Sequence, residues 1–196
     1  MNKRTSFVTT EFEVREEGSQ KLIEGYFIVF NQPTELWRGF YEQISPEAVQ
    51  DMGDVRALYN HNHDLVLGST LNGTLRLAKD DYGVKGVIEV NEKDTDALNA
   101  YERIKRGDIK GCSFGFELVK ESYDQMDDGT TRATVKELNL FEVSPCVFPA
   151  YSQTAIGVRR QDYKEHQERE REARQSALIN KLKGETDGTE TSNQSE

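Results

Sequence analysis

Apolar residues in this chain fall into short clusters or alternations, separated by polar stretches and glycines. Such runs cover residues 7–14, 22–30, 55–59, 73–77 and 84–90, and later 112–119, 132–138 and 141–147. Short apolar or period-two runs bounded by turn residues predict strands. Asp127-Asp128-Gly129 lies between two of them and predicts a hairpin turn. Two segments carry helix-start signals instead. Ser45-Pro46-Glu47 places a cap residue, a proline and then an acid. From Asp94 to Arg106, Leu98, Tyr101 and Ile104 mark one face, Lys105 and Arg106 suit the C-terminal dipole, and Gly107 can end the helix. Many strands and few helices predict a mainly β fold with attached α-helices, arranged as a barrel or sandwich core.

The pattern changes at the end of the chain. Residues 1–158 read as one domain, with Gly157-Val158 as its last core-like position. Residues 159–196 read as a tail dominated by Glu, Lys, Arg, Gln, Ser and Thr. Within it, residues 162–183 are helix-prone, with alternating charges spaced for (i, i+4) pairs. Ala173, Ala177, Leu178 and Leu182 supply only a thin apolar stripe. The polar stretch after Gly184 predicts disorder.

Composition narrows the choices. The 196 residues suffice for a sizeable core, although hydrophobic residues make up only 35%. A net charge of -10 disfavours a broad phosphate-binding surface, so nucleic acid is not an expected partner. No apolar run approaches the roughly 20 residues of a membrane span. The polar residues after Met1-Asn2-Lys3-Arg4 do not form the apolar core of a signal peptide. Cys112 and Cys146 lack metal-ligand spacing, and a reducing compartment with free thiols is expected.

Residues capable of chemistry are few. His166 lies in the charged tail, which leaves His61 and His63, two positions apart after Arg56-Ala57-Leu58-Tyr59. If that run continued as a strand, both imidazoles would share a face. A zinc site would need further ligands, and no third His or nearby Cys is at hand. Ser113 lies between Cys112 and Phe114, flanked by Gly111 and Gly115, which allow backbone or substrate a close approach. In a regular strand Cys112 would point to the opposite face, so only one of the two can act as nucleophile. No Gly-x-Ser-x-Gly elbow is present, which argues against an α/β-hydrolase. Glu142, in an apolar stretch, would be costly to bury unless paired, and an imidazole N–H is a suitable partner. Glu137 and Asp64 are alternative carboxylates.

Taken together and in order, these segments resemble the tailed-phage (caudovirus) prohead maturation serine proteases. The resemblance begins at Ile23-Glu24-Gly25-Tyr26-Phe27-Ile28-Val29-Phe30-Asn31 and continues through Tyr41-Glu42-Gln43-Ile44-Ser45-Pro46. It takes in Leu58-Tyr59-Asn60-His61-Asn62-His63-Asp64 with Leu67-Gly68, then Ile109-Lys110-Gly111-Cys112-Ser113-Phe114-Gly115-Phe116. It ends on the segment from Leu140 to Tyr151, which contains Phe141-Glu142-Val143-Ser144-Pro145. The family's Asn-His-Asp pattern, followed by Leu-Gly, falls on Asn62-His63-Asp64. The resemblance therefore implies His63 rather than His61 as the base, Ser113 as the nucleophile and Glu142 as the third member. It also implies an assemblin-like β-barrel with helices around it and acyl transfer without a cofactor or metal.

The implied substrates are scaffold protein, the scaffold-like region of the capsid precursor and the enzyme itself. The implied place of action is the assembling prohead in the host cytoplasm, with a homodimer as a possible active form. The tail beyond about Arg160 is then expected to be dispensable for peptide hydrolysis. A different class of function fits the same composition: a non-enzymatic assembly module that binds scaffold without cutting it.

Overall fold

A computed structural model describes residues 3–9, 12–18, 20–148 and 153–187. The strands are β1 (Lys3–Thr9), β2 (Glu13–Glu17), β3 (Gln20–Val29), β4 (Thr34–Trp37), β5 (Phe40–Ile44) and β6 (Arg56–Tyr59). They continue with β7 (Asn62–Ser69), β8 (Leu75–Lys79), β9 (Gly83–Glu89), β10 (Gly111–Gln125) and β11 (Thr131–Cys146). Helix α1 spans Thr95–Arg106 and helix α2 spans Gln153–Asp187. The chain divides into two compact units, Met1–Ser152 and Gln153–Glu196.

The first unit contains two sheets. A seven-stranded sheet runs β1-β10-β11-β5-β4, with β6 pairing both β11 and β7. A four-stranded sheet runs β2-β3-β9-β8. The mainly β expectation holds, but the two sheets are not closed into a barrel. Barrel closure needs every edge to find a strand partner. Among the described residues, β1, β4 and β7 remain edges of one sheet, and β2 and β8 edges of the other.

Local sequence explains most of these elements. Alternation along β10 sends Cys112, Phe114 and Phe116 into the core, where they meet Phe27 and Ile28 of β3 and Val143 of β11. Asp128-Gly129 turns β10 into β11, with Gly129 at φ 81° and Met126 N–H donating to Thr130 O at 2.9 Å. Helix α1 begins where Asp94 accepts from the Asp96 and Ala97 N–H groups and ends at left-handed Gly107. Its inward face carries Ala97, Ala100, Tyr101 and Ile104.

Several expectations are corrected. Residues 7–14 do not form one strand; β1 and β2 belong to different sheets. The runs at 132–138 and 141–147 lie, up to Cys146, on a single long strand, β11, whose two parts pair in parallel with β5 and β6. Ser45-Pro46-Glu47 begins only a single 3-10 turn, Pro46–Ala48. Ser45 makes no side-chain cap bond, and Val49 returns to extended backbone, bridging Leu138. In the second unit the helix runs past Gly184 to Asp187; the rest of the stretch expected to be disordered lies outside the described residues.

One buried ionic cluster ties β1 across its sheet. Arg4 donates to both carboxylate oxygens of Glu121, at 2.7 and 2.9 Å, and lies 3.8 Å from buried Glu42. Ser6 Oγ donates to Glu42 Oε1 at 3.2 Å. Removing one partner of a buried pair leaves an uncompensated charge, at a cost of about 3 kcal/mol or more. Arg4→Ala is therefore expected to destabilise the protein by about 3 kcal/mol in urea unfolding. Adding Glu42→Gln should recover part of that loss, whereas Glu42→Gln in the unchanged chain should not stabilise it.

Candidate active site

Strands β10 and β11 are antiparallel and in register at one end, with Gly111 opposite Cys146, Ser113 opposite Ser144 and Gly115 opposite Glu142. Opposed residues share a sheet face. Ser113, Ser144, Glu142 and Cys146 therefore stand together on one face. Cys112 points the other way, and its Sγ donates to Tyr26 O at 3.1 Å. Burial pushes the Cys112 thiol well above its ordinary pKa, which disfavours the thiolate.

The β6–β7 hairpin delivers the histidine. Tyr59 pairs with Asn62, so Asn60 and His61 form a two-residue turn. Both have positive φ, 53° and 59°, as a type I′ turn requires. The turn is fastened to the end of β11. Asn60 N–H donates to Pro145 O at 3.1 Å, and Asn60 Oδ1 accepts the Val147 N–H at 2.9 Å. The chain reverses at His61, so His61 and His63 do not lie along one continuous strand.

That turn places His61, not His63, against the carboxylate. His61 Nδ1 lies 2.5 Å from Glu142 Oε1. His63 is exposed and makes no side-chain hydrogen bond or ion pair among the described residues. The expected choice between the two histidines is therefore reversed at the contact with Glu142. The signal that could have found His61 was Asn60: asparagine tolerates positive φ and marks a two-residue turn.

Glu142 is 4% exposed, and both of its oxygens are engaged. Ser144 Oγ donates to Glu142 Oε2 at 2.6 Å and accepts the His61 backbone N–H at 3.3 Å. Gly115 provides the space. A Cβ there would fall 2.6 Å from Glu142 Oε1 and 2.7 Å from Phe141 Cε2. Interaction with the Cys146 thiol and with Glu142 raises the His61 imidazole from 6.5 to about 10, against the opposing effect of burial.

Ser113 is 5% exposed and donates its Oγ–H to the Ser6 carbonyl of β1 at 2.7 Å. It is not hydrogen-bonded to His61. The link between them is Ser144, the cross-strand partner of one and a hydrogen-bond partner of the other. The competing carboxylates lie elsewhere. Glu137 is opposite Lys120, far along β11, and Asp64 is exposed on β7. A surface pocket of about 530 Å³ is lined by residues 66–68 and 89–94 with Gln20, Asn72 and Thr74, and none of His61, Ser113, Glu142 and Ser144 borders it. No cluster of three or more metal-ligating side chains occurs among the described residues.

The sequence profile of the caudovirus prohead serine proteases matches residues 10–169. The chain belongs to that family. The matched residues run from β2 through β11 and into α2. The chain is 26% identical over 159 residues to the prohead protease of Enterobacteria phage HK97, which covers 79% of this chain and 67% of that protein. The solved capsid assembly protease of bacteriophage T4 aligns over 76% of this chain and 98% of its own length, at 15% identity and a TM-score of 0.46. No helix among the described residues is long and apolar enough to cross a membrane.

Two outcomes follow from this geometry. Gly115→Ala should displace Glu142 from His61. Followed by NMR of the ring protons, the His61 titration should then move down from its raised value toward 6.5. The raised imidazole also has a signed effect on stability. Its contribution is complete below pH 6.5 and is lost as pH rises through about 10. The stability difference between the unchanged protein and Glu142→Gln should accordingly narrow across that window.

Proposed function

We propose that this chain is a serine endopeptidase of capsid maturation, with Ser113 as nucleophile, His61 as general base and Glu142 orienting the imidazole. It cuts scaffold, scaffold-like segments of the capsid precursor and itself, inside the assembling prohead. The observation that carries the reading is the His61–Glu142 contact, on the same sheet face as Ser113, in a chain of the prohead protease family. His61 replaces His63 in the role because the turn at Asn60-His61 brings its ring to the buried carboxylate.

The chemistry is acyl transfer. The His61 imidazolium, raised to about 10, first loses its Nε2 proton; the neutral ring so formed keeps its Nδ1 proton on Glu142 and has Nε2 free to accept the Ser113 proton. Ser113 exchanges its bond to the Ser6 carbonyl for one to that nitrogen. Its oxygen then attacks a peptide carbonyl carbon while the proton passes to His61. Glu142 stabilises the imidazolium so formed. Collapse breaks the C–N bond, the proton goes to the leaving amine, and water then hydrolyses the acyl-enzyme by the reverse proton path.

Co-expression with scaffold, read by mass spectrometry of the scaffold, tests this. New scaffold termini should appear with the unchanged chain and with His63→Ala. They should vanish with Ser113→Ala and with His61→Ala, each of which should remain folded. Cleavage by purified Ser113→Ala would refute the nucleophile, and activity lost in His63→Ala but kept in His61→Ala would restore the other histidine. Scaffold bound but intact with the unchanged chain would make it an assembly module instead.

A further inference from the structure

We infer that Ser144 is a positioning residue of the active site, acting through Glu142 and the His61 turn. The inference rests on the proposed roles of Ser113, His61 and Glu142. Ser144 has no exposed surface and has two functions for its one hydroxyl. It donates to Glu142 Oε2 at 2.6 Å, which leaves Oε1 for His61 Nδ1 at 2.5 Å. It also accepts the His61 backbone N–H at 3.3 Å. A donor on one oxygen restricts rotation of the carboxylate, and the acceptor holds a turn that positive φ at Asn60 and His61 makes costly.

The register adds a third constraint. Ser144 is directly opposite Ser113. Opposed Cβ atoms of an antiparallel pair lie about 5 Å apart. One side chain therefore sets the carboxylate, the imidazole backbone and the spacing to the nucleophile at once. Ser144 is not itself the base's target. Its proton is directed at Glu142, and the His61 ring nitrogen nearest that cluster is already on the carboxylate. The titratable groups that bear on the His61 ring are Glu142 and Cys146, both on β11.

A fluorophosphonate probe tests this on the full chain without a known substrate. Ser113 Oγ attacks phosphorus, fluoride leaves, and His61 takes the serine proton; intact mass and peptide mapping report the rate. Ser144→Ala should slow labelling of Ser113 by about ten- to a hundredfold, the scale of a misplaced reacting group. In a Glu142→Ala background the same change should cost less than about twofold, because two residues acting as one unit are non-additive. Ser144→Thr, which keeps the hydroxyl, should restore most of the rate. NMR should show the His61 titration falling in Ser144→Ala toward its ordinary value, because the carboxylate that raises it is no longer held.

Labelling within twofold of the unchanged protein, or an equal slowing in both backgrounds, would overturn the inference. An unmoved His61 titration in a folded Ser144→Ala protein would do the same. If Ser144→Ala does not fold, Ser144→Cys carries the same comparisons, since a thiol keeps the volume but is a weak donor. Failure of the unchanged chain to label at Ser113 would instead count against the nucleophile, and the His61 titration would still decide the role of Ser144.

Discussion

A carboxylate removed from water is the constraint around which this site is organised. Buried carboxylates are costly unless each oxygen is satisfied. Glu142 meets that requirement with His61 on one oxygen and Ser144 on the other. The space it fills exists because Gly115, across the strand pair, has no side chain. A glycine on β10, a serine two positions along β11 and a histidine in a distant turn thus answer one electrostatic demand.

The same demand explains why the β6–β7 turn is so firmly held. Two consecutive non-glycine residues at positive φ are unfavourable in isolation. Here the cost is offset by bonds from Asn60 to both Pro145 and Val147, and by the bond from His61 to Ser144. The turn so fastened carries the imidazole to Glu142. On the other side of β10, β1 covers Ser113 and accepts its proton. His61 and Ser113 are thus each hydrogen-bonded within the protein, and not to one another.

How far the site could be read from sequence differs from residue to residue. Ser113 and its opposition to Cys112 followed from period-two alternation, and the structure has the two on opposite faces. Glu142 followed from the cost of burying it among apolar residues. The histidine that meets Glu142 is His61 and not the expected His63, because a tight turn after Tyr59 moves one imidazole to the carboxylate and leaves its neighbour in solvent. Ser144 was in view within Phe141-Glu142-Val143-Ser144-Pro145. Its value depends on sharing a face with Glu142 and opposing Ser113, which requires the register.

The sequence by itself determined the mainly β character, the caps of α1, the turn at Asp128-Gly129 and the chemistry-bearing types. These depend on local periodicity and on the preferences of single residues. Only the tertiary structure decided that the sheets stay open, that β11 is one long strand and that His61 meets Glu142. Each is a contact between residues far apart in the chain, selected by strand register and by the need to satisfy a buried charge. Local pattern carries no information on register, so which histidine meets Glu142 was decided only when β6, β7 and β11 were assembled.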